Sequence, residues 1–147
     1  MIGYDGWVVK RMNRRTLPAF TPALDAWPDA GVYQLRIRLH RAVVLRVGSL
    51  GRVRFAAGTY IYTGRAARGL RARVLRHVRG GRCQHWHIDY LLSSQAARVV
   101  RVALASTNPD DECRVNTATG RGAMAVAPRF GASDCRNGCP AHLWLVG

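Results

Sequence analysis

The sequence predicts a single domain of α+β class, and three observations lead there. The 147 residues fit one domain, because about 100–200 residues per domain is usual. Early segments alternate apolar and polar residues with period two between glycine-marked turns. The pattern then changes, from Leu70 onward, to a helical stripe ended by Gly80-Gly81.

The elements follow in chain order. Residues 1–30 read as a poorly ordered N-terminal arm or a strand-like lead-in, with Pro18, Pro22 and Pro28, little periodicity and a basic cluster at Lys10, Arg11, Arg14 and Arg15. The domain proper covers 31–147. In GVYQLRIRLH, Tyr33, Leu35, Ile37 and Leu39 fall on one side of a strand and Arg36 and Arg38 on the other. AVVLRVG (42–48) reads as a second strand, joined to the first as a hairpin through His40 and Arg41. Glycines 48, 51 and 58 mark turns around Val53–Phe55, and TYIYTG (59–64) is a strand with Tyr60 and Tyr62 on one face.

Ala67, Leu70, Val74 and Val78 then form one helical stripe. Arginines at 65, 68, 71, 73, 76, 79 and 82 surround it, and at about 100° per residue most of them project away. Arg73 and His77 lie at the edge of the inward face instead. HWHIDYLLSS (85–94) reads as a helix with Trp86, Ile88, Leu91 and Leu92 partly inward, and 97–106 as a strand. DDEC (110–113) starts a helix, since acids favour the first turn. The segment 117–129 reads as a loop and HLWLV (142–146) as a closing strand.

Charge narrows the function. Lys+Arg number 23 against 8 Asp+Glu, a net +15, and every basic residue but Lys10 is arginine. That potential attracts polyanions, and guanidinium groups match phosphate bidentately. Nucleic acid, DNA before RNA, is the expected partner. No run approaches the roughly 20 apolar residues of a membrane span, so a soluble, cytoplasmic protein without a membrane partner is expected.

The strand beginning Gly31-Val32-Tyr33, the strand ending Tyr62-Thr63-Gly64 and the helix carrying Arg73 and His77 together resemble the GIY-YIG nuclease superfamily. GTYIYTG, LRARVLRH, HWHIDYL, the Glu112-Cys113 pair and FGASDC…HL resemble, in that order, the small Uri-type predicted endonucleases. The resemblance runs from about Gly31 to the C-terminus. Val32 and Thr63 depart from the eponymous tripeptides. It implies an antiparallel three-stranded sheet flanked by helices, with Tyr33, Tyr62, Arg73 and a metal-binding glutamate on the sheet face.

Glu112 is the one glutamate of the chain and so the candidate ligand for Mg²⁺ or Mn²⁺, which takes one or two carboxylates and keeps its waters. In a metal-dependent phosphodiesterase Arg73 would clamp the phosphate, Tyr33 position or deprotonate the attacking water, Tyr62 hydrogen-bond phosphate or water, and His77 relay a proton. Arg65, Arg68, Arg71 and Arg76 are candidate phosphate contacts. His85, Trp86 and His87 are candidate cleft residues, with Trp86 able to stack on an unpaired base and Asp89 lining the cleft or holding the sheet. Asp134 is a second possible carboxylate or a turn former.

Cys113, Cys135, Cys139 and His142 offer three thiols and an imidazole for a structural Zn²⁺, expected to lie apart from catalysis; plain buried cysteines are the rival reading. The rival to an endonuclease is a catalytically weak nucleic-acid-binding module that assists a DNA repair or RNA-processing enzyme.

Overall fold

The computed structural model describes residues 24–80 and 84–147. The arm expected over 1–30 therefore falls, for its first 23 residues, outside the described part. Its last residues are packed: Leu24 is buried in the core, and Asp29 holds the start of a helix through its side chain to the Gly69 amide and its carbonyl to the Leu70 amide.

Among the described residues, six strands and three helices follow in order from Gly31: β1 (Gly31–Leu39), β2 (Val43–Arg46), β3 (Arg52–Phe55), β4 (Gly58–Ala66), α1 (Leu70–Arg79), α2 (His87–Leu92), β5 (Ala97–Ser106), α3 (Glu112–Gly120) and β6 (Leu143–Leu145). The main sheet is antiparallel with order β5-β1-β4-β6. It has four strands rather than three. The extra strand completes the outer edge of β4, where the Thr63 amide donates to the His142 carbonyl and the Val146 amide to the Thr59 carbonyl. Backbone groups at a half-buried edge need such partners.

The expected β1–β2 hairpin does not form. Both edges of β1 are taken, by β4 and β5, so β2 pairs with β3 in a separate ribbon. Two helical boundaries also move. Ala67 is exposed and precedes α1, so the inward stripe is Leu70, Val74 and His77. Residues 117–120 continue α3 instead of opening a loop, because Asn116 is buried and ties the helix to Trp144 Nε1 and to the Ala141 carbonyl.

The core lies on the Tyr33 side of the sheet. Tyr33, Leu35, Ile37, Leu39, Tyr60 and Tyr62 are buried there with Leu70 and Val74 of α1 and Ile88 and Leu91 of α2. Gln34, on the other face, donates to Thr63 Oγ1 and Thr119 Oγ1 and holds the end of α3. The period-two expectation for β1 and the inward residues of α2 are thus realised.

Candidate active site

Tyr33 and Tyr62 stand on neighbouring strands, with ring centroids 6.3 Å apart. Gly64 is the cross-strand partner of Tyr33, and the tyrosine ring lies over it: a Cβ at Gly64 would come within 2.5 Å of that ring. The third residue of the Tyr62-Thr63-Gly64 segment is small for that reason. Tyr33 Oη meets His77 Nε2 at 2.8 Å, below α1. Asp89 lies beyond, its Oδ1 3.7 Å from His77 Nδ1, too far for a hydrogen bond. A row Tyr33–His77–Asp89 therefore runs from the sheet under α1 to α2.

Asp89 is the best-partnered side chain of this row. Arg76 Nη1 and Nη2 reach its two oxygens at 2.9 and 3.0 Å, and the amides of His85 and Trp86 both donate to Oδ2 at 2.8 Å. Burial works against its charge, but these bonds and the neighbouring His77 outweigh it and hold the carboxyl well below the usual range. Arg76 is thus committed to the protein rather than turned out to phosphate. Both Arg73 and Arg76 lie over the Trp86 ring, at 4.9 and 4.5 Å from its centroid, so that indole is already engaged.

Burial sets the protonation of the rest. It lowers His77 below the ordinary imidazole value, so His77 is neutral near pH 7, and Nε2 can accept from the Tyr33 hydroxyl. Burial raises Tyr33 and Tyr62 well above the ordinary phenol value, and the Glu112 charge adds to this. Both phenols stay protonated at neutral pH.

A cleft of about 670 Å³ opens over this assembly. Tyr62, Arg73, Trp86 and Glu112 line it, with Arg65 and Arg136 at the rim and Asp110 and Asp134 as further carboxylates. Tyr33, only 1% exposed, is not on the wall; it lies behind Tyr62. Arg73 is anchored by donation to the Arg65 carbonyl, and exposed Arg65 pairs loosely with Asp110 at 3.7 Å. Arg68 and Arg71 are exposed, with Arg71 donating to the Asp25 carbonyl. His85 is exposed beside Trp86, ahead of α2 rather than within it. His87 accepts the Gly131 amide at Nδ1 and packs on Phe130; burial, with help from Arg129, lowers its pKa. Its role is to fix the 130–131 turn.

The opposite wall of the same cleft carries the thiols. Cys113 follows Glu112 in the first turn of α3, Cys135 and Cys139 lie in the loop after Phe130, and His142 precedes β6. Their ligand atoms all lie within 4.8 Å of one another, so these residues form a Cys₃His group able to hold a metal. Cys113, Cys135 and His142 line the cleft beside Glu112. His142 Nδ1 is 3.6 Å from Glu112 Oε2. Burial disfavours charge on His142, but Glu112 and Cys135 more than offset it and raise its pKa. Burial likewise raises the Cys135 thiol, but the amides of Cys139 and Asn137 donate to its sulfur and bring it down to about 6.

Sequence reasoning missed the Arg76–Asp89 pair. Only its residue types were visible, 13 positions apart, with Arg76 one arginine among many.

These features describe an α+β domain with a tyrosine–arginine–carboxylate cleft bordered by a Cys₃His group. A family model described as Domain of unknown function DUF123 matches residues 32–147, and the chain belongs to that family. No curated protein and no solved structure matches the chain.

Proposed function

We propose that this protein is a metal-dependent endonuclease that hydrolyses phosphodiester bonds of DNA. The observation that carries this reading is the convergence of Tyr62, Arg73 and Glu112, from three separate elements, on one arginine-rimmed cleft. The net charge of +15 brings a polyanion to that rim. Arg73 spends one N–H on the Arg65 carbonyl, and its remaining donors serve the phosphoryl oxygens, where negative charge grows in the transition state. Tyr62, kept protonated by burial, donates a hydrogen bond to phosphate or to the attacking water.

A raised pKa argues against Tyr33 as a free phenolate base. Its hydroxyl instead donates to neutral His77 Nε2, so Tyr33 could take the proton of a water only while passing its own to His77, whose imidazolium the Asp89 charge at 3.7 Å would stabilise. Glu112 suits a hard divalent ion: its carboxylate borders the cleft with 20% of its side chain exposed, and Asp110 and Asp134 border the same space. Mg²⁺ or Mn²⁺ held there would relieve charge on the phosphoryl oxygens and orient a water.

One feature favours the binding-module reading. Tyr33 is sealed behind Tyr62, and neither phenol ionises readily. The two readings separate in a cleavage assay on single-stranded, double-stranded and branched DNA and on RNA, with Mg²⁺, Mn²⁺ or EDTA. Metal-dependent cutting of DNA is the expected result. Binding to every substrate with no cutting would establish the module, and cutting of RNA alone would reassign the substrate.

A further inference from the structure

We infer that Cys113, Cys135, Cys139 and His142 bind one zinc ion, and that Glu112 orients the histidine ligand of that ion. The inference stands independently of the nuclease reading, because metal binding alone tests it.

The spacing of the ligands suits a tetrahedral ion. With Zn–S near 2.3 Å, ligand atoms at tetrahedral corners lie about 3.8 Å apart. The four ligand atoms here fall within 4.8 Å of one another, and the Cys113 and Cys135 sulfurs are 3.5 Å apart. That separation is far beyond a disulfide of about 2.05 Å. The loop between two of the ligands is shaped for the purpose. Gly138, at φ 73°, turns the chain between Cys135 and Cys139.

The histidine supplies an independent observation. His142 is 1% exposed, yet neither of its ring nitrogens has a hydrogen-bond partner among the described residues. A buried imidazole with both nitrogens idle is unfavourable in a finished core. A zinc ion on Nε2 and the Glu112 carboxylate facing Nδ1–H would satisfy both, as metal-bound histidines characteristically give their second nitrogen to a carboxylate. The ion would tie together the first turn of α3, the 135–139 loop and the start of β6. Those three segments carry Glu112 and close one wall of the cleft.

The test uses the full chain, stripped with a chelator and titrated with Zn²⁺ or Co²⁺ alone. One ion per chain is expected, with thiolate-to-cobalt charge-transfer absorption in the Co²⁺ form. Zinc should also shield Cys113, Cys135 and Cys139 from alkylation, as mapped by mass spectrometry. Cys135→Ser should lose stoichiometric zinc, whereas His142→Cys, which keeps a soft ligand, should retain it. Glu112→Gln should bind zinc on the order of tenfold more weakly. Should Cys135→Ser fail to fold, the alkylation map of the unaltered chain decides. Absent charge transfer, unshielded thiols, zinc content unchanged in soluble Cys135→Ser, or a Cys113–Cys135 disulfide in protein prepared under reducing conditions would each overturn the assignment.

Discussion

On the α2 side of the cleft, the Asp89 carboxylate receives four hydrogen bonds, two from Arg76 and two from backbone amides, and Tyr33 closes on His77 at 2.8 Å. On the α3 side, three thiols and a buried imidazole face one another, and neither nitrogen of that imidazole has a hydrogen-bond partner among the described residues. Both walls gather polar groups in a largely apolar setting, where unpaired polar atoms are costly. The first wall answers most of that cost from its own side chains and backbone, and leaves only His77 Nδ1, 3.7 Å from Asp89, without a hydrogen bond among the described residues. The second is complete only if something outside the chain answers it, and its ligand types select a thiophilic ion. Glu112 stands between the two, facing His142 on one side and the cleft on the other.

The largest expected effect breaks the first wall. Asp89→Ala should destabilise the protein by about 3–5 kcal/mol in denaturant unfolding, because Arg76 and the His85 and Trp86 amides all lose their buried acceptor. Zinc content should be unchanged, and its loss in this variant would mean that the walls are not separate. Arg73→Ala should lower turnover by about 10²–10³-fold while changing DNA affinity little, read by single-turnover cleavage beside equilibrium binding. Arg76→Ala should resemble Asp89→Ala rather than a lost phosphate contact, so a purely affinity-type defect would contradict the pairing seen here.

Protonation gives a smaller effect. The His77 pKa is lowered in the folded protein, so protons favour the unfolded chain. Its contribution is intact above the ordinary value of about 6.5 and is lost as pH falls from there through the folded value. Asp89, with a depressed pKa, keeps its contribution above about pH 4 and loses it only as pH falls through its folded value. Thermal unfolding of His77→Gln, compared with the unaltered chain across about pH 5–7, where an imidazole titrates, should show a weaker decline on acidification. An identical slope would remove His77 from the account. Smallest of all, Arg114→Ala removes the exposed pair with Asp111 and should leave the unfolding midpoint unchanged.

The two walls also differ in how far the sequence announces them. Tyr33 and Tyr62 are found by strand alternation, and Arg73 and His77 by their angle on the helix, because local periodicity decides which way those side chains point. The four-stranded sheet was harder to read. Leu143–Leu145 shows its strand character, but only the exposed edge of β4 says where it docks. The β2–β3 pairing was hidden for the same reason, since β1 has both edges occupied by strands distant in sequence. Asp89 could be placed near the cleft, but its partner Arg76 looked like one more outward arginine until α1 and α2 were packed together. The Cys₃His group was legible as a set of residue types, but not as a geometry. Cys113 is 22 residues from Cys135, and only the packing of α3 against the 135–142 segment brings those sulfurs together.

Glu112 offers the most direct measurement of the central claim, that this cleft cuts DNA through a carboxylate-held divalent ion. Unaltered protein and Glu112→Gln, both saturated with zinc so that the Cys₃His group is equally filled, would be compared for DNA cleavage across a range of Mg²⁺ and Mn²⁺ concentrations. Cutting by the unaltered chain, abolished in Glu112→Gln while DNA binding is retained, is the predicted result. Equal cutting by both proteins, or none by either, would contradict it.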